Sequence, residues 1–576
     1  MIFMLKYKQK QEIADIVGED FFSTEDYMNK LYSHDISSLP GIVNDLLYME
    51  SDGVAQPTSS EIVSNLIKYC LENKIPMVPR GHGTSGYGGA LPTVGGLCVE
   101  MTRMNEIYNI DQDEMTIEVG AGIIWGRLLE NLEAQGLTLR AYPSSAPSST
   151  VGGWVAAGGT GIGSTKYGGV EKQVVDLEVV LPDGTIMRTS EAPKGLMDSL
   201  IKEDYTFFPG ADTYYWEPEI DETCDMTELI LDSNGALGII TKVVLKVIPL
   251  QTFKPLSASF QDKESMLSAC MHLKETTDPF YLHFVTDMFY GMLDELGLAP
   301  ETSGPWVISC TYEGPESQIA KDVESFNKIV QRHGGTVESE EIANHEWSER
   351  FYPMRVKRLG PSVAPSEVYV PLDHMDLFLE QTAKHFKGER FAAEGAVNED
   401  KQVAVLCWFL DDERKKISFL MGWYRSLDFI DIGLKNGGKP YSIGMWNVAH
   451  SRNYYGEDRY GQMSELKKKT DPKGKLNPHA VFPGPMRLSL RMNLLILLAG
   501  AVAAPIALWV AGLIVPTILQ GFVPWLMIDD LWSIFQAVVL GLIAATAVVE
   551  VANYVPMPFA LTMGGPFMRL FRKIFH

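Results

Sequence analysis

Cysteine is scarce and scattered. The 576-residue chain holds 6, at Cys70, Cys98, Cys224, Cys270, Cys310 and Cys407, with no CxxC pair and no histidine at metal-ligand spacing. Iron–sulfur clusters and structural zinc sites need clustered thiolates, so neither is expected within this chain. Isolated thiols suit a reducing compartment. Positive charge is also short, with 49 Lys+Arg against 73 Asp+Glu and a net charge of -24. Such a surface repels a phosphate backbone, which argues against a nucleic-acid partner. The start, MIFMLKYKQKQEIADIVGED, has no apolar run of the length a secretory signal needs, so export of the soluble part is not expected.

The chain is long enough for several domains. Hydrophobic residues make up 46% and charged residues 21%, with 51 Gly and 32 Pro, the profile of a globular protein rich in turns rather than of a disordered one. Near the C-terminus, no Asp, Glu, Lys or Arg occurs in 492–528 or in 531–549. Runs of about 20 apolar residues suffice to cross a bilayer as a helix. Pro505, Pro516 and Pro524 break the first run, so the expected spans are 493–515 and 531–555. Asp529 and Asp530 sit between them, whereas Arg487, Arg491, Arg569, Arg572 and Lys573 flank the pair. The positive-inside rule then puts the catalytic part and both termini on the cytoplasmic side of the cell membrane. Glu550, at the end of the second run, fits an interfacial position and is assigned no site.

Between residues 60 and 250, short β-type runs alternate with glycine loops and amphipathic helices. In 59–73, Ile62, Val63, Leu66, Ile67 and Cys70 fall on one helical face, with Ser59 or Ser60 as N-cap. Segment 75–92, IPMVPRGHGTSGYGGALP, reads as a strand and a glycine loop, and 95–101 as a second strand. Residues 115–136 read as strand, turn and helix, 149–169 as a second glycine loop, and 174–189 as a hairpin turning at Pro182-Asp183-Gly184. Gly81, Gly83 and Gly86 spell GxGxxG, yet Gly88, Gly89 and Pro92 forbid the helix that a Rossmann fingerprint needs. Two long glycine loops can instead bring backbone N–H groups against a pyrophosphate, because glycine has no Cβ to hold the ligand away.

Five motifs in order resemble the FAD-binding p-cresol methylhydroxylase and vanillyl-alcohol oxidase superfamily, in its glycolate oxidase and D-lactate dehydrogenase branch. PRGHGTSGYGG (79–89) is similar to the first pyrophosphate loop and PSSAPSSTVGGWVAAGGTGIGSTKYG (143–168) to the second. DLEVVLPDGTI (176–186), CDMTELILDSNGALGIITKVVLKVIP (224–249) and DPKGKLNPHAVF (471–482) resemble the strand pair that follows, the stretch lying along the flavin, and the segment returning to the flavin domain. The resemblance covers residues 22–483. It implies FAD as cofactor, held in the first loop by Pro79, Arg80, Gly81, His82, Gly83, Thr84 and Ser85. From the second loop it implies Pro143, Thr150, Gly152, Gly153, Gly158, Gly159, Gly163, Tyr167 and Gly168. Gly238, Ile239, Ile240 and Asn477 complete the set. Some members attach the flavin through a histidine further along the first loop, where this chain has Thr84 or Ser85, so His82 implies non-covalent FAD.

The implied fold is α+β: a two-subdomain FAD-binding domain of p-cresol methylhydroxylase type (51–250), an α+β cap domain for substrate (251–455), and a return segment (456–485). An N-terminal segment (1–50) precedes them and the transmembrane helical hairpin (486–576) follows. In the cap, 316–332 reads as a helix and 403–410 as a strand. Trp347 and Arg350 match the family's Trp-x-x-Arg stretch, just before a strand at 365–372. Arg350 is the carboxylate candidate, with Arg355 and Arg358 behind it, because a guanidinium offers a planar two-donor fork. The branch's two histidine motifs are absent: 392–409 has no histidine and 437–450 reads GGKPYSIGMWNVAH, so no metal is expected. Candidate bases for a hydroxyl proton are Tyr441 and His450, then Glu394 or His283.

The expected function is a membrane-anchored FAD-dependent dehydrogenase that oxidises a hydroxyl-bearing substrate of the 2-hydroxy-acid kind and passes electrons to quinone or a separate redox subunit. Two alternatives stay open. One is an FAD enzyme acting on a membrane-borne alcohol such as a lipid-linked sugar. The other is a non-catalytic flavoprotein serving as a structural or relay subunit of a larger membrane redox complex.

Overall fold

The computed structural model describes residues 5–36, 49–192 and 226–483, with two isolated positions at 498 and 539. The expected transmembrane hairpin and Glu550 lie outside the described residues. Among the described residues, no helix is long and apolar enough to cross a membrane.

Three sheets organise the chain. The first joins β1 (Phe22–Ser23), β2 (Gly53–Ala55), β3 (Met77–Arg80) and β4 (Leu97–Glu100) in the order β1-β2-β4-β3, with β4 parallel to both β2 and β3. Helix Ser60–Glu72 packs its Val63, Leu66, Ile67 and Cys70 against this sheet. Each such apolar side chain contributes about 1.5–3 kcal/mol on burial. Ser59 caps the helix by accepting from the Ile62 N–H, as the sequence predicts.

The second sheet contains β5 (Ile107–Asp111), β6 (Thr116–Gly120), β7 (Leu137–Leu139), β8 (Val174–Val180), β9 (Ile186–Arg188) and the long β10 (Ile239–Pro249). β10 pairs antiparallel with β6, β7 and β8 and so ties the sheet together. The β8–β9 hairpin turns at the expected place. Gly184 takes φ +83°, and Asp183 accepts from the Thr185 N–H.

The second glycine segment departs from its reading as a loop. Val151–Ala157 is a helix, capped by Thr150, whose hydroxyl accepts from the Gly153 N–H. Glycine is a poor helix former, but tertiary packing overrides that preference here. A Cβ on Gly152 would lie 2.5 Å from the Ala121 Cβ, so the close approach of helix and β6 requires glycine.

The third sheet has eight antiparallel strands: β11 (Thr252–Phe260), β12 (Tyr281–Val285), β13 (Trp306–Gly314), β14 (Thr336–Val337), β15 (Ser362–Pro371), β16 (Phe391–Val397), β17 (Gln402–Asp411) and β18 (Lys439–Pro440). Helices Lys263–Thr276, Glu316–Arg332, Met375–His385 and Lys416–Lys435 bury their apolar faces on one side of it, in a core that includes Phe284, Tyr312, Phe378 and Phe409. The other side faces the glycine loops. After helix Glu457–Thr470 the chain returns to the first sheet, where the Asn477 N–H donates to the Met77 carbonyl at 2.7 Å.

Candidate active site

A cavity of about 1010 Å³ lies between the glycine segments and the third sheet. Its floor begins at the end of β3. The N–H groups of Gly81 through Ser85 meet no acceptor among the described residues, and all five residues line the cavity. Gly83, at φ +65°, leaves room for the Arg80 guanidinium, which a Cβ would approach to 2.2 Å. At Gly81 a Cβ would come within 2.1 Å of the Thr150 hydroxyl, so the two glycine segments interlock only without it. His82 ties them further, its Nδ1–H donating to the Ser148 carbonyl at 2.7 Å. Arg80 Nε and Ser149 Oγ are buried on the wall without a partner. Unpaired N–H groups, missing Cβ atoms and a buried guanidinium together fit a dianionic pyrophosphate.

The floor continues through Pro143, Thr150, Gly152, Gly153 and Gly158, and reaches Asn234, Ile239 and Ile240 at the start of β10. Two segments distant in sequence hold it in place. Asn477 donates from Nδ2 to the carbonyls of Gly89 and Asn234 at 2.7 and 2.5 Å. Asn234 donates to the Ile443 carbonyl at 3.0 Å, and Tyr441 OH to the Thr160 carbonyl at 2.7 Å.

The ceiling is one face of the third sheet. Side chains alternate along a strand and directly opposed residues share a face. On β15, Val363, Pro365 and Glu367 line the cavity, and Leu406 and Trp408 stand opposite Glu367 and Pro365 on β17. Phe351, Tyr352, Met354, Arg355 and Arg358 close one side. Glu367 accepts a hydrogen bond from the Tyr87 hydroxyl of the first loop. Tyr441 packs beside them, with ring centroids 5.1 Å from Tyr369 and 6.2 Å from Tyr87. Burial pushes the Glu367 carboxyl up to about 8, helped by the nearby Glu394 and opposed by the Tyr87 hydrogen bond. Burial likewise raises the Tyr441 phenol far above its ordinary range, so Tyr441 remains a donor and is not a base at neutral pH.

Most expected flavin contacts converge on this cavity, including Pro79 through Ser85, Pro143, Thr150, Gly152, Gly153, Gly158, Ile239 and Ile240. Gly159, Gly163, Tyr167, Gly168, Gly238 and Asn477 do not line it. Gly163 packs on the Arg140 carbonyl, Tyr167 donates to Glu313 of β13, and Gly238 fits against Val179, so these residues shape the supporting structure. Asn477 holds the loops rather than the ligand. Two catalytic candidates are also displaced. Arg350 lies behind the wall, stacked 4.0 Å from the Trp347 ring centroid and 4.2 Å from that of Phe351, with Nη1 donating to the Trp347 carbonyl. Arg355 and Arg358 occupy the wall in its place. His450 ends a short 3-10 turn, Val448–His450, away from the cavity. His283 and Glu394 pair at 3.2 Å beyond Leu406, and neither lines the cavity. Sequence reasoning missed Tyr87 and Glu367. The latter stood in view as the one acidic residue of the strand SEVYV, an unexpected place for a carboxylate.

Comparison with known proteins agrees with this layout. Residues 51–190 match the family described as FAD binding domain, and residues 250–481 match the C-terminal domain of FAD linked oxidases. Glycolate oxidase subunit GlcD of Bacillus subtilis is 26% identical over 336 residues, 57% of this chain and 64% of that protein. The mitochondrial D-lactate dehydrogenase [cytochrome] of Arabidopsis thaliana is 23% identical over 449 residues, 75% of this chain and 73% of its own length. Among solved structures, 4-ethylphenol oxidase from Gulosibacter chungangensis superposes with a TM-score of 0.66 at 18% identity, covering 83% of this chain and 98% of that one. For p-cresol methylhydroxylase the TM-score is 0.65 at 17% identity, covering 82% and 96%. These structural likenesses establish the mixed α/β fold, and the matched domains establish FAD as the cofactor.

Proposed function

Because the chain is an FAD-linked oxidoreductase, we propose that it oxidises the hydroxyl of a small hydroxy acid, with the flavin bound non-covalently. The observation that carries the reading is the shared cavity: glycine loops suited to pyrophosphate form its floor, and a carboxyl and two arginines line the same space. Bound FAD supplies a two-electron acceptor that takes hydride from the carbinol carbon. Glu367 receives the O–H proton as the carbonyl forms, with Tyr87 fixing the orientation of its carboxylate. Arg355 and Arg358 provide the cations for the substrate carboxylate. The relatives named glycolate oxidase and D-lactate dehydrogenase support a hydroxy acid as the substrate class.

The apolar runs at 493–515 and 531–555 anchor the enzyme in the cell membrane, with the catalytic part cytoplasmic. Reduced flavin would need quinone or a separate redox subunit as its electron acceptor, since the scattered cysteines offer no relay of their own. The test is anaerobic stopped-flow of the purified yellow protein. Hydroxy acids are expected to bleach the flavin, and acid precipitation to release FAD into the supernatant. Bleaching by a lipid extract alone would replace this substrate with a membrane-borne alcohol. No bleaching by either would make the chain a relay or structural subunit, and colour retained in the pellet would overturn the non-covalent attachment.

A further inference from the structure

The wall of the cavity is ordered by polarity. At one end Glu367 is bound to Tyr87 of the first glycine loop. Pro365 and Val363 follow along the same face of β15, with Leu406 and Trp408 opposite on β17. Four residue-to-residue steps of extended strand lead from Glu367 to Val363, which is roughly 13 Å.

The far end belongs to the arginines. The 3-10 helix Pro353–Leu359 runs directly into the Val363 end of β15. Its Met354, Val356 and Leu359 share one apolar cluster with Val363, Trp408 and Leu298. Tyr352 is 57% exposed and Arg358 is exposed, so this end of the wall reaches solvent. The Arg355 side chain is only 8% exposed, makes a long 3.4 Å contact with Glu349, and keeps Nε without a partner. Arg358 forms no ion pair among the described residues. Between Glu367 and the arginines the wall offers apolar surface from Pro365, Leu406, Trp408 and Val363.

We infer that the substrate is a hydroxy acid whose hydroxyl and carboxylate stand at opposite ends of an apolar body. The hydroxyl meets Glu367, the body lies along β15 and β17, and the carboxylate stays at the solvent end with Arg358 and Arg355. A 2-hydroxy acid carries both groups on adjacent carbons and does not bridge this distance. Its carboxylate would also lie beside Glu367, where it would repel the ionised form that accepts the proton. The inference rests on the reading of the cavity as the place of hydroxyl oxidation.

Two isomers separate the possibilities. 8-Hydroxyoctanoate and 2-hydroxyoctanoate have the same charge and carbon count and differ in the spacing of the two groups; the first is a primary alcohol and the second a chiral secondary one, so both enantiomers of the second are tested. In anaerobic flavin reduction by the full-length protein, 8-hydroxyoctanoate is expected to give a kcat/KM at least tenfold higher. Arg358→Gln is expected to raise its half-saturating concentration roughly tenfold more than that of octan-1-ol, which has no carboxylate. Octanoate, which cannot be oxidised at a hydroxyl, reports binding alone through the visible spectrum of the flavin, and its affinity is expected to fall with the same substitution. Equal or faster reduction by 2-hydroxyoctanoate overturns the inference and leaves the hydroxy-acid reading standing. If neither isomer reduces the flavin, both fall. If Arg358→Gln shifts octanol and 8-hydroxyoctanoate alike, the placement of the carboxylate is wrong.

Discussion

In the proposed reaction, Glu367 is the residue on which the chemistry turns. Its carboxyl has an ordinary value of 4.5 and is pushed up to about 8 by burial. As a base it works only when ionised, so flavin reduction is expected to quicken as pH rises and to level off above about 8. Glu367→Gln is expected to slow reduction by roughly 10²–10⁴-fold and to remove that pH dependence. Rapid-reaction traces from pH 6 to 9, with FAD content measured beside them, check this. Unchanged rates at full FAD content would sink the assignment. The linked stability runs the other way. The folded-state value lies above the unfolded one, so the contribution is complete below about 4.5 and is lost as pH rises through about 8. Thermal melts of wild type should therefore fall over this window more than those of Glu367→Gln.

Among the elements, the interlocked glycine segments and β15 do most to build the site. A Cβ at Gly81 meets the Thr150 hydroxyl at 2.1 Å, so Gly81→Val is expected to part the two segments and abolish FAD binding. The ratio of flavin to protein absorbance reads the loss, and retention at the wild-type ratio would show that the segments can yield. The loops were legible because glycine spacing records the need for bare backbone. β15 was legible as a strand and not as a wall. Its Ala364, Val368 and Val370 enter the core while Val363, Pro365 and Glu367 face the cavity, so both faces are covered and the polar–apolar alternation that assigns a face is weak.

At the scale of the whole molecule, the apolar cores and the cavity wall formed by the described residues fall within 5–483. On the proposed anchoring, a chain cut after Pro485 is expected to keep its FAD and to stay in the supernatant on ultracentrifugation, and the full chain is expected to sediment with membranes. A truncated protein that still sediments would remove 493–515 and 531–555 as the anchor.

The sequence by itself determined the first glycine loop, the capped helix Ser60–Glu72 and the β8–β9 hairpin, because each rests on local spacing, whereas the second glycine segment, read as a loop, forms the helix Val151–Ala157. Only the tertiary structure decided which side chains face the cavity. Arg350, Arg355 and Arg358 fall in short 3-10 turns with no sustained period, so nothing local told the stacked arginine from the two on the wall. Glu367 finds its hydrogen-bond partner in Tyr87, 280 residues away, and its carboxyl is raised by burial between the sheet and the first loop, against the pull of that bond. Desolvation is a property of the assembled site, and no stretch of chain carries it alone.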